Sequence, residues 1–101
     1  MLTGKQKRCL RALGHSLKPV IQIGKKEIEE SLINEAGVAL GHHELIKVKL
    51  LESCSLDKHA AAGMLADACG AEVAQVLGRT ILLYRPAEKP VIELPPGDKK
   101  D

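Results

Sequence analysis

The sequence predicts an α/β fold: a two-layer sandwich of a four-stranded mixed sheet with three helices, in the order α-β-α-β-α-β-β. Three observations carry that prediction. Segments with apolar residues at helical spacing alternate with short runs rich in β-branched residues, and glycines stand at the ends of these segments. Gly78-Arg79 separates the last two β-rich runs by a hairpin's distance. Successive β-α-β crossovers closed by a hairpin give a mixed sheet with helices packed on it.

Each element has its own signal. Thr3 followed by Gln6 is a capping-box pattern, so a first helix should start near residue 4. At 100° per residue, Leu2, Cys9, Leu10, Leu13 and Leu17 share one side, with Lys7, Arg8 and Arg11 on the other. Gly14 is expected just past the helix end, as its stop. Pro19 disfavours helix at Lys18 and suits a strand start, so Val20–Ile23 reads as a short strand. After Gly24-Lys25-Lys26 a helical pattern is expected at once, through Ile28, Leu32, Ile33, Ala36, Ala39 and Leu40, with Gly41 ending it. Glu27, Glu29 and Glu30 then fall in its first turn, where the helix dipole favours acids.

Between Glu44 and Leu51 the chain alternates: Ile46, Val48 and Leu50 point one way, Lys47 and Lys49 the other. That pattern is a half-buried strand with an open, basic face. Ser53–Ser55 reads as a loop and cap, followed by a third helix from about Asp57 to Cys69. Its expected buried stripe is Ala61, Met64, Leu65 and Ala68, and Gly70 is its stop. Two strands follow, Glu72–Leu77 and Thr80–Leu83; Gly-X between them is the type II′ signal and puts Arg79 at an exposed tip. We divide the chain into a domain over residues 1–86 and an extended, Pro-rich tail over 87–101, in which Val91–Leu94 can lie along the body.

Composition sets the class. An apolar fraction of 45% and a charged fraction of 28% are those of a soluble globular protein. No apolar run approaches the roughly 20 residues that span a bilayer. The first residues carry charge with no apolar segment behind it, so no signal peptide is expected and the cytoplasm is the default. Cys9, Cys54 and Cys69 are odd in number and widely spaced, which predicts reduced, mostly buried thiols.

Net charge is only +2, but residues 1–26 hold seven cations and no acid. A field of that kind argues for an anionic partner, although a charge run alone is more often a solvated helix face. What sharpens the argument is the stretch Lys18–Glu27. A strand ends at Gly24, two lysines follow, and a helix is expected to begin there, so backbone N–H groups, a helix dipole and two ammonium groups could face one phosphate. The candidate RNA-binding residues are therefore Gly24, Lys25 and Lys26, with Lys7, Arg8, Arg11, Lys18, Lys47, Lys49 and Arg79. Tyr84 is the single aromatic and is expected to be buried, which argues against the stacking platforms of RRM and OB-type binders. Recognition of structured RNA by shape and backbone is the mode that remains.

Catalysis finds no constellation. His42-His43 are neighbours that point apart, with no Cys or Asp at ligand spacing, and His15 and His59 are isolated. No carboxylate pair or nucleophile motif is present, so no enzyme activity, metal or cofactor is expected.

Three segments resemble a known family: Lys-Pro-Val-Ile-Gln-Ile-Gly-Lys-Lys at 18–26, His-His-Glu-Leu-Ile-Lys-Val-Lys at 42–49, and Val-Leu-Gly-Arg-Thr-Ile-Leu-Leu-Tyr-Arg-Pro at 76–86. They look like the CRM domain (chloroplast RNA splicing and ribosome maturation), in its free-standing bacterial YhbY-like form, over roughly Leu2 to Pro95. The resemblance implies a fold similar to the C-terminal domain of bacterial translation initiation factor three. It implies RNA binding through a Gly-x-x-Gly loop, association with precursors of the large ribosomal subunit, and no enzyme activity. A monomer is expected, with RNA as its partner rather than DNA or a membrane. The family loop ends in a second glycine where this chain has Glu27, a residue that prefers φ < 0 and adds negative charge. The first glycine and the lysine pair carry over, and the complete clamp does not. The alternative reading is a protein-binding accessory module of the ribosome that docks through an apolar patch.

Overall fold

The computed structural model describes residues 2–96. It contains α1 (Gly4–Gly14), β1 (Ile21–Ile23), α2 (Glu30–His43), β2 (Leu45–Leu50), α3 (Lys58–Cys69), β3 (Glu72–Leu77) and β4 (Thr80–Tyr84), in the expected order. The sheet runs β1-β2-β4-β3, with β1 parallel to β2 and β4 antiparallel to both of its neighbours. No helix among the described residues is long and apolar enough to cross a membrane.

Strand alternation sorts the apolar residues onto two faces. Ile46, Val48 and Leu50 of β2 and Ile81 and Leu83 of β4 meet Ala36 and Leu40 of α2 and Ala61, Leu65 and Cys69 of α3. The sheet and these two helices form the sandwich and the main core. On the other face Leu45, Leu82, Tyr84 and Ala74 pack with Leu2 and Leu10 of α1, and Ile92 and Leu94 of the tail close the cluster. The second face is therefore not an open basic surface as the alternation predicts. α1 and the tail cover one half of it, Lys47 is half-buried, and Lys49 is exposed.

The helix ends follow local chemistry. At α1 the capping box forms: Thr3 Oγ1 accepts from the Gln6 amide and Gln6 Oε1 accepts from the Thr3 amide, each at 3.1 Å. Gly14 is the last helical residue rather than the stop beyond it, and it serves close packing. A Cβ there would sit 2.8 Å from both methyl carbons of Leu82. Leu13 and Leu17, placed by periodicity on the apolar stripe, are 45% and 37% exposed and line an open groove with Val20, Leu45 and Ile92. Asp57 caps α3 in place of Ser53–Ser55, accepting from the amides of His59 and Ala60. Gly70 ends α3 in the left-handed conformation, as expected. Met64 faces solvent at 50% exposure; the small residues Ala62 and Ala66 take its expected place in the core.

Two charged side chains, the half-buried Arg85 and the buried Glu44, tie the elements together. Arg85 donates from Nη1 to the Cys69 carbonyl and from Nη2 to the Gly37 carbonyl, each at 2.8 Å, joining β4 to the end of α3 and the middle of α2. Glu44 sits at the corner where α2, running past Gly41 to His43, turns into β2. Its backbone has a positive φ (63°, with ψ −39°), and its carboxylate accepts from the amides of Ala87, Val91 and Ile92 at 2.8, 2.8 and 3.0 Å. At the tail's far end, Gln6 Nε2 donates to the Pro95 carbonyl at 3.1 Å. The three cysteines are free thiols, with Cys54 and Cys69 buried and Cys9 half-buried.

Candidate functional site

The Gly24 loop is built by the end of β1. The parallel ladder continues one bond beyond it, Leu51 N–H to the Ile23 carbonyl, and the chain then turns, with Glu27 N–H donating to the Gly24 carbonyl at 2.9 Å. Lys25 and Lys26 occupy the exposed corner. Glu27 adopts φ 57°, the left-handed region that a glycine enters freely and that costs a residue with a Cβ roughly 1–2 kcal/mol. Its carboxylate accepts a short hydrogen bond from Ser55 Oγ in the β2–α3 loop. The turn thus keeps the backbone shape that a second glycine would give, contrary to the preference expected of glutamate.

The helix start is elsewhere. α2 begins at Glu30, so Glu27, Ile28 and Glu29 separate Lys26 from it, and Glu29 occupies the cap with no side-chain hydrogen bond. The expected convergence of strand end, glycine, lysines and helix dipole on one point does not form. Composition and helical periodicity alone could not reveal a positive φ at Glu27. The shallow depression beside the turn is of mixed sign, lined by Gln22, Lys25 and Lys26 but also by Glu27, Glu29 and Glu35. The lysines can act only as projecting charges there.

From this turn a band of cations runs along the second face. Gln22 of β1 pairs with Lys49 of β2, so Lys49 stands beside the turn. Lys47 follows on the same face, about 7 Å along the strand. It lines two depressions, one shared with Arg11 of α1 and His15 just beyond it, and one shared with Lys18 and His43. Arg8, Arg11 and His15 fall at helical spacing i, i+3, i+7 and continue the band along α1, with Lys7 half-buried one turn before Arg11. Arg79 lies at the turn's end of the sheet, but its guanidinium is engaged: Nε donates to the Leu50 carbonyl at 3.1 Å and Nη2 to the Leu51 carbonyl at 2.6 Å. It fastens the hairpin tip to the end of β2 while remaining exposed.

Other titratable groups are structural. Backbone hydrogen bonds from Ala87 and Ile92, joined by Val91, hold the Glu44 carboxyl below its usual range against the opposing effect of burial. Tyr84 is 5% exposed, as expected, and its phenol is pushed up by burial and by the charges of Glu44 and Glu72. Burial likewise raises the Cys69 thiol, more than Arg85 lowers it. His42 and His43 occupy the last turn of α2, exposed, with ring centroids 6.3 Å apart. Among the described residues no group of three or more His, Cys, Asp or Glu is placed to hold a metal ion. Sequence reading missed Glu44, since a lone acid before a strand gives no sign of partners in the tail 43 to 48 positions away.

Comparison with known proteins bears on this arrangement. The model of the CRS1 / YhbY (CRM) domain family matches residues 2–85. The chain is 43% identical over 96 residues to the Bacillus subtilis "Probable RNA-binding protein YqeI", covering 94% of this chain and 100% of that one. It is 37% identical over 94 residues to a Haemophilus influenzae "RNA-binding protein", covering 93% and 95% of the two chains. In structure it is similar to the solution structure of a hypothetical Staphylococcus aureus protein, SAV1595, put forward as RNA-binding. The TM-score is 0.80 at 46% identity, over 94% of this chain and 100% of that one.

Proposed function

From the premise that this chain belongs to the CRS1/YhbY (CRM) domain family, we propose that it is a non-catalytic RNA-binding protein that grips structured RNA by its phosphates. Its place of action on this reading is the precursor of the large ribosomal subunit. The observation that carries the RNA reading is the continuity of the cation band from Lys25 and Lys26 through Lys49 and Lys47 to Arg11 and Arg8. Three separate parts of the chain supply it, the Gly24 loop, β2 and α1, which a solvated face of one helix would not require. Lysines and arginines spread over a shallow surface contact phosphates and fix register; they read no sequence by themselves.

The test is affinity for a structured RNA as a function of salt. Each phosphate contact adds roughly 0.7–0.9 to the slope of log affinity against log salt, so Lys25→Ala with Lys26→Ala should weaken binding and flatten the slope by up to about two. A flat slope in the unaltered protein would remove the reading. Sedimentation of the protein with pre-ribosomal particles, followed by RNA crosslinking, tests the place of action.

A second reading rests on the groove of about 420 Å³ lined by Leu13, Leu17, Val20, Leu45, Ile46 and Ile92, an apolar surface suited to a protein partner. Association with particles that survives nuclease treatment would favour it.

A further inference from the structure

The strand β3 is out of step with itself. It pairs with β4 through Glu72↔Tyr84 and Val73↔Leu83, then resumes at Gln75↔Leu82, leaving Ala74 as an extra residue in a β-bulge. Regular alternation would send residues 73, 75 and 77 to one face. Here Val73 and Val76 pack against the main core, and Ala74 joins the α1-side cluster. Gln75 and Leu77 line a depression on the same side as Ala74. The bulge therefore puts two consecutive side chains, Ala74 and Gln75, on the α1 side. A bulge that re-aims one polar side chain is a recurrent device beside binding sites.

What Gln75 is aimed at is a depression of about 390 Å³, in the size range of small-ligand sites. It is lined by Leu82 and Gly14, by Arg11 of α1 and His15 just beyond it, by Lys47 of β2, and by Leu77 and Thr80 of the β3–β4 hairpin. Leu77 is 68% exposed, an unusual position for a large apolar side chain on a sheet. Among the described residues, no side-chain hydrogen bond or ion pair engages Arg11, Lys47, Gln75 or Thr80. The depression thus combines an apolar surface, an amide that both donates and accepts, a hydroxyl, and two permanent cations with a histidine at the rim. A phosphate backbone alone would need only the cations.

We infer that this depression is a nucleotide subsite, which seats one unpaired, outward-turned RNA nucleotide with its base against Leu77 and Leu82, its base edge on Gln75 and Thr80, and its phosphate on Arg11 and Lys47. The assignment rests on the RNA-binding reading and deepens it. Side chains cannot read base edges in the deep major groove of an RNA helix, whereas a splayed base exposes its edges fully. The aromatic-poor composition is no obstacle, because an apolar floor can cover one base face.

The experiment compares two RNA hairpins of equal length, one fully paired in its stem and one carrying a single unpaired nucleotide there. Each is titrated with the unaltered full chain, with Gln75→Ala plus Thr80→Val, and with Lys25→Ala plus Lys26→Ala. The Gln75/Thr80 variant should bind the bulged hairpin about three- to tenfold more weakly, the loss of one or two hydrogen bonds, and the paired hairpin as before, with the salt slope unchanged. The lysine variant should lose affinity for both RNAs alike. On the unaltered protein, 4-thiouridine at the unpaired position should crosslink to the peptide containing Gln75 and Leu77 or to the end of α1. If both hairpins are bound and the Gln75/Thr80 substitutions weaken them equally or not at all, with crosslinks elsewhere, the subsite is refuted while RNA binding stands. If the unaltered protein binds neither hairpin, both readings fall together.

Discussion

Glu27 and Glu44 both take a positive φ, which glutamate seldom does, at 57° and 63°, and they use it to different ends. Glu44 is 3% exposed and collects three amides of the tail, so its strain is locked in by a satisfied, buried carboxylate. Glu27 is only half-buried and answers to a single hydroxyl, Ser55. The same local cost is therefore over-determined at one corner and weakly compensated at the other. Backbone strain persists where the surroundings fix it, and its removal has opposite consequences at the two sites.

The largest effect expected is at the buried corner. Glu44→Ala leaves the amides of Ala87, Val91 and Ile92 without their acceptor. Their hydrogen exchange, followed by NMR, should accelerate by at least about tenfold, while amides of β2 and β4 away from the corner change less. Equal acceleration throughout the sheet would mean that the tail is not a separate unit. Acid should act on the same clasp. The Glu44 carboxyl titrates lower in the folded protein than in the unfolded chain, so the stability it contributes is fully present above the unfolded value of about 4.3. It is lost as the pH falls through the lower folded value, and tail amide protection should fade in that window before the main core unfolds. The smallest effect belongs to the exposed corner. Glu27→Gly relieves the left-handed strain but removes the bond from Ser55 and adds unfolded-state freedom, so stability should rise by no more than about 1 kcal/mol in chemical denaturation. Loss of its charge beside Lys25 and Lys26 should tighten RNA binding by about threefold. Weaker binding would show that the carboxylate orders the turn more than it repels phosphate.

What could be read from the sequence follows the range of the interactions involved. The Thr3–Gln6 box, the Gly70 stop and the Gly78-Arg79 hairpin are set by neighbours within a few residues, and each forms as expected. Alternation in β2 identified the core-facing Ile46, Val48 and Leu50, but not that α1 would cover half of the opposite face. Gly14 has the look of a helix stop until Leu82, 68 positions on, is seen packed against it. The candidate cations Lys25, Lys26, Lys47 and Lys49 were visible as residues, whereas their contiguity depends on the β1–β2 register. The clasp at Glu44 and the anchoring of Arg79 went unseen because their partners are backbone groups, which composition does not reveal. The bulge at Ala74 was hidden for the same reason: Val73 to Leu77 scans as an ordinary strand.

The bonds of the α1 layer also fix an order of events during synthesis. Leu2 donates to Glu72 Oε1, and Gln6 reaches Pro95, contacts that span 70 and 89 positions. On a ribosome, α1 must wait for β3, β4 and the tail before its berth exists. Until then the basic α1 segment has no sheet to rest on, and the smaller core cannot close.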